Sequence, residues 1–201
     1  MADLFKKIRL RQYKSVYERL IYIKTKSKLK EDSLKDYFDI KNYESGRYEL
    51  DILEGKETVI DKPTFELNKG INLFYNGDIS SIMLITEFFK KTKALESING
   101  FESYIFSQDH FDESKLKGLS ILLMRDTNSI ETVKFGIIIT KYYPLENVEG
   151  AIEIIKNLCI YPEFTYYALN ALKTLKNYRE IEKEISKDIL GLGKEIEEYF
   201  K

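Results

Sequence analysis

From Asp78 to the C-terminus, apolar residues recur at helical spacing in one short segment after another, which directs this part of the chain toward helices packed on helices. Val148, Ala151, Ile152, Ile155, Leu158 and Cys159 form one stripe, and Phe164, Tyr167, Ala168, Ala171, Leu172 and Leu175 form the next. A single amphipathic helix cannot bury its own stripe, so each must pair with a neighbour. The segment from Ile130 to Tyr142 differs, because Val133, Phe135, Ile137, Ile138 and Ile139 leave almost no polar face. It should be buried on more than one side. Helix starts are marked by Asp78 and Asp112 as caps, by Asn128 and Asn177 each three residues before a glutamate, and by Pro144 and Pro162 in first turns. Gly191-Leu192-Gly193-Lys194 reads as a helix stop with a short terminal helix behind it.

The stripes also repeat. Phe135-Gly136-Ile137 recurs as Tyr167-Ala168-Leu169 at an offset of 32, and Val148 and Ile152 recur as Ile181 and Ile185 at an offset of 33. With Glu131–Ile137, Asn147–Ile152 and Glu163–Leu169 in alternation, residues 78–201 resemble the helical hairpins of HEAT/armadillo-type repeat proteins, in particular divergent bacterial ones. The resemblance implies a mainly α fold in which antiparallel hairpins stack as a short right-handed α-solenoid, used as a binding scaffold and carrying no catalytic residues. An irregular helical bundle gives much the same pattern, and from the sequence both are open.

Residues 1–77 fall outside that pattern. The first thirty hold ten basic side chains against Asp3 and Glu18, a charge of +8 that the rest of the chain offsets with −9. Phe5, Ile8, Tyr13, Val16, Leu20 and Ile23 make this stretch an amphipathic helix running to about Lys24. A short helix is expected at Ser33–Phe38 behind Asp32. Alternation at Tyr48, Leu50 and Ile52, then at Val59 and Ile60, around Glu54-Gly55-Lys56-Glu57, suggests a small β-hairpin within residues 46–62. Asp61–Asp78, with Pro63, Gly70, Asn76 and Gly77, reads as a connector. The expected division is a basic, mixed N-terminal part over 1–77 and a HEAT-like domain over 78–201.

Chemistry-bearing patterns are sparse. One cysteine excludes an internal disulfide, and one histidine excludes His-rich metal chemistry. His110, among Asp109, Asp112 and Glu113, is better read as part of a turn ahead of a cap, and Cys159 as a small core residue. Ser27-Lys30 and Ser114-Lys117 match the Ser-x-x-Lys spacing without its companion elements. The carboxylates from Glu180 to Glu198 alternate with lysines as on a solvated helix face. No apolar run is long enough to span a bilayer and no leader is evident, so a cytoplasmic location is expected.

Tyrosine is the more suggestive residue: fifteen occur without a tryptophan, with adjacent pairs at Tyr142/Tyr143 and Tyr166/Tyr167. Neighbours on a helix point about 100° apart, so one of each pair can enter the core while the other serves as an amphipathic anchor. The expected function is a non-enzymatic scaffold binding another protein, including a basic one, through Tyr142, Tyr143, Tyr166 and Asn170, with no cofactor and no metal. The alternative is nucleic-acid binding through a basic patch of Lys6, Lys7, Arg9, Arg11, Lys14 and Arg19.

Overall fold

In the computed structural model, which describes residues 15–26, 44–78, 80–107 and 112–201, the chain is mainly helical. The described residues contain eleven α-helices and no strand. We number them α1 (Val16–Lys26), α2 (Arg47–Leu53), α3 (Phe65–Tyr75), α4 (Ser81–Phe88), α5 (Ile98–Phe106), α6 (Glu113–Asp126), α7 (Ile130–Ile138), α8 (Glu149–Cys159), α9 (Pro162–Leu172), α10 (Tyr178–Ile185) and α11 (Gly193–Glu198). The closest pairs are consecutive: α3 with α4, α6 with α7, and α8 with α9. Then α9 packs on α7 and on α11, tying the pairs together.

Helix α7 is buried on several sides, as its lack of a polar face requires. Val133 and Ile137, four residues apart, enter one apolar cluster with α1, α8, α9 and the C-terminal helices. Phe135 and Ile139 enter a second cluster with α3, α4, α5 and α6. Phe135 stacks there on Phe89 and Phe101, with ring centroids 5.0 and 5.1 Å away. A third direction is taken by Lys134, which is 1% exposed. Gly136 brings α7 against α6: a Cβ at that position would lie 3.0 Å from both Leu123 Cβ and Met124 Cγ. Beside it, the Ser120 hydroxyl donates to the Gly136 carbonyl at 2.9 Å.

The expected hairpin within residues 46–62 is absent. Arg47–Leu53 is the helix α2, followed by a turn at Gly55 with φ +73°. Glu49 and Leu50 are both buried. Consecutive residues share a buried side on a helix and lie on opposite faces of a strand, so tertiary burial overrides the alternation of Tyr48, Leu50 and Ile52. The expected connector likewise holds α3. Its Gly70 is a close-approach position, where a Cβ would meet Ile85 Cγ1 at 2.7 Å. Capping differs at three of the expected starts: Ser129, not Asn128, caps α7 and accepts from the Thr132 amide, Ser80 rather than Asp78 is the N-cap of α4, and Asn177 precedes α10 without a side-chain cap hydrogen bond; Asp112 caps α6 through the Lys115 amide as expected. The candidate helix at Ser33–Phe38 lies outside the described residues.

The described part of the basic N-terminal segment is docked. Val16, Leu20 and Ile23 of α1 enter the first cluster. The Val16 amide donates to the Thr127 carbonyl at 2.8 Å, and the Tyr161 hydroxyl donates to the Leu20 carbonyl at 2.7 Å.

Candidate functional site

Where α7 and α9 diverge, a groove of about 290 Å³ opens to solvent. Its lining takes Ile137 and Ile138 from α7, Tyr166, Tyr167, Asn170 and Ala171 from α9, and Leu95, Ile98 and Thr174 beside them. Thr140 and Lys141 complete the lining. Its hydroxyls are turned back to the backbone: Thr140 donates to the Ile137 carbonyl and Thr174 to the Ala171 carbonyl, each at 2.7 Å. The Asn170 amide donates to the Tyr166 carbonyl at 2.9 Å. What remains is a mostly apolar slot with an amide and an ammonium at its mouth. Lys141 and the Tyr142 hydroxyl both donate to Glu102 Oε1, at 2.7 and 2.5 Å. These bonds hold the Glu102 carboxyl below its usual range.

Behind the groove lies a buried charge cluster. Lys134 Nζ is 2.9 Å from Glu49 Oε1 and 3.0 Å from Glu131 Oε1, and it also pairs with Glu163 Oε1. Tyr167 separates cluster from groove: its ring lines the slot, while its hydroxyl donates to Glu49 Oε1 at 2.7 Å. Ser45 donates to Glu163 Oε2 at 3.1 Å, and the Ala94 amide to Glu131 Oε2 at 2.7 Å. Glu49 Oε2 has no hydrogen-bond partner. Burial raises the Glu49 carboxyl above its ordinary value; the Lys134 ammonium opposes this and the Glu163 charge adds to it. Burial would also lower the Lys134 ammonium, yet the surrounding negative charge, from Glu163 foremost, outweighs it and holds the ammonium well above its ordinary range. A lysine kept protonated is neither a nucleophile nor a base.

The expected contact residues separate. Tyr166 and Asn170 line the groove together. Tyr142 sits nearby, half-buried, with its ring against Phe101 and Phe106 at centroid distances of 5.4 and 5.9 Å. Tyr143 is corrected to a core residue: it is 6% exposed, and its hydroxyl shares a 3.0 Å hydrogen bond with Ser120. Of the basic patch, Lys6, Lys7, Arg9, Arg11 and Lys14 lie outside the described residues, and Arg19 is half-buried on docked α1. His110 is outside them too. Cys159 is fully buried, and burial pushes its thiol up, as expected for a packing residue. Among the described residues no group of His, Cys, Asp or Glu is arranged to hold a metal ion, and no helix is long and apolar enough to cross a membrane.

Reading the sequence alone passes over Glu49, Glu131, Lys134 and Glu163. One signal was present, a lysine in the middle of an otherwise apolar helix, which must find counter-charges if that helix is buried. Its partners at positions 49 and 163 are distant in sequence and carry no local mark. Comparison with protein families, with characterised proteins and with solved structures gives no match.

Proposed function

We propose that this protein is a non-enzymatic interaction module that binds another protein by seating an apolar side chain of that partner in the α7/α9 groove. The observation that carries the reading is the groove itself: an apolar slot beside a half-buried tyrosine, with Asn170 and Lys141 at its mouth. Its volume of about 290 Å³ sits at the small end of ligand pockets, which suits one large side chain better than a whole cofactor. Tyr166 supplies the rigid amphipathic contact that interfaces favour. We read the pairs α6–α7 and α8–α9 as successive units of a short HEAT-like array, in which the groove between pairs is the natural recognition surface. Residues 44–201 hold 27 acidic and 20 basic side chains, so the partner we expect is basic around its apolar anchor.

The test is affinity capture from a lysate of the source cells with wild-type protein and with Tyr166→Ala and Ile138→Asp, at about 50 mM and about 200 mM salt. A protein retained by wild type at both salts and lost with either groove variant supports the reading. Equal capture by all three proteins overturns it, as does recovery of nucleic acid alone at the lower salt.

A further inference from the structure

We propose that one carboxyl of the buried cluster, that of Glu49, carries a proton while α2 is docked, and that losing this proton as pH rises loosens α2, so that the docking of that helix is pH-dependent. The inference is independent of what the groove binds. One ammonium faces three carboxylates here, and full ionisation would leave two uncompensated negative charges around Lys134, Glu49 and Glu163, which are 1%, 0% and 3% exposed. Like charges repel strongly in so dry a site, and one carboxyl must yield.

The hydrogen bonds select which one. Glu131 is 23% exposed and accepts from the Ala94 amide. Glu163 accepts from Ser45 and pairs with Lys134. Glu49 receives Lys134 and Tyr167 on the same oxygen, Oε1, and nothing on Oε2. A proton on Oε2 therefore removes a charge without breaking a contact. The burial and the Glu163 charge that raise this carboxyl act in the same direction.

The consequence falls on α2. Around Glu49, α7 contributes Glu131 and Lys134, and α9 contributes Glu163, Tyr166 and Tyr167. Helix α2 itself carries Arg47, Tyr48 and Asp51; α11, packed on it, places Glu195 near Arg47, and Lys93 stands over the Tyr48 ring. Between the ordinary glutamate value of 4.5 and its higher folded value, Glu49 binds more protons docked than free, so docking weakens as pH rises through that window.

Hydrogen exchange of the α2 amides, expressed as protection factors at about pH 5 to pH 8, tests this in wild type and Glu49→Gln. Wild-type protection should fall by up to about tenfold per pH unit within the window, and the variant should be flat. Infrared spectra over the same pH range should show a carboxylic-acid carbonyl band that fades as protection falls and that Glu49→Gln lacks. Glu163→Gln, which removes a neighbouring charge and leaves Glu49 in place, should flatten the same slope and serves if Glu49→Gln does not fold. A flat wild-type profile, a slope unchanged in both variants, or no acid band overturns the proposal.

Discussion

Replacing Lys134 by methionine keeps most of the side-chain volume and removes the single positive charge from a site that holds three carboxylates. Glu49 and Glu163 are 0% and 3% exposed, so water cannot take over the role of the ammonium. Breaking a buried ion pair from one side typically costs about 3–5 kcal/mol, because the stranded charge is what destabilises the fold. At roughly 2–4 °C per kcal/mol for a chain of this size, the melting temperature should drop by about 6–20 °C. Urea unfolding followed by circular dichroism measures the loss directly. The triple variant Lys134→Met/Glu49→Gln/Glu163→Gln removes both buried carboxyl groups while keeping acceptors for Tyr167 and Ser45, and should recover more than half of it. A single-variant loss below about 1 kcal/mol, or a triple variant no more stable than the single one, would refute the claim that Lys134 is the counter-charge of a dry site.

Other expectations follow from the same geometry. Gly46→Ala should destabilise by about 1–3 kcal/mol, since Gly46 has φ +83° and a Cβ there would meet the Pro162 carbonyl oxygen at 2.8 Å; unchanged urea unfolding would contradict this. Tyr143→Phe should cost about 1 kcal/mol through its Ser120 hydrogen bond yet leave partner capture intact, separating it from Tyr166. Because the Lys134 ammonium is held above its ordinary value of 10.5, the stability it contributes is fully present below that value and is lost only as pH rises through the higher folded one. Wild type and Lys134→Met should therefore keep a constant difference attributable to this group from about pH 8 to pH 10 in thermal melts.

Much of the helical half was legible because its signals are local. Asp112 caps through its own third neighbour, and the stripes on α8 and α9 need only the 3.6-residue period. Apolar residues on all sides of α7 announced a helix buried on more than one side, which the fold shares between two apolar clusters. What was misread depends on contacts distant in sequence. Helix α2 buries Glu49 only because Lys134 and Tyr167 wait for it, 85 and 118 residues further on. Gly70 marks a tight crossing with Ile85 where a loop was expected. The same limit applies to the site. Tyr166 and Asn170 stand one helical turn apart and could be grouped by spacing, whereas Ile98 and Ile138 join them only through the fold. Tyr143 fell on the wrong side of its pair because nothing near it in sequence reveals Ser120 as its partner.

Site-specific photo-cross-linking tests the role of the groove most directly. A photoreactive residue at Asn170, on the mouth of the groove, is compared in the source cells with one at Met83, which is 65% exposed on α4 and does not line the groove. The account predicts a discrete protein adduct from position 170 that position 83 does not give and that Ile138→Asp abolishes. Identical adducts from both positions, or none from position 170 in cells that contain the protein at its native level, would contradict it.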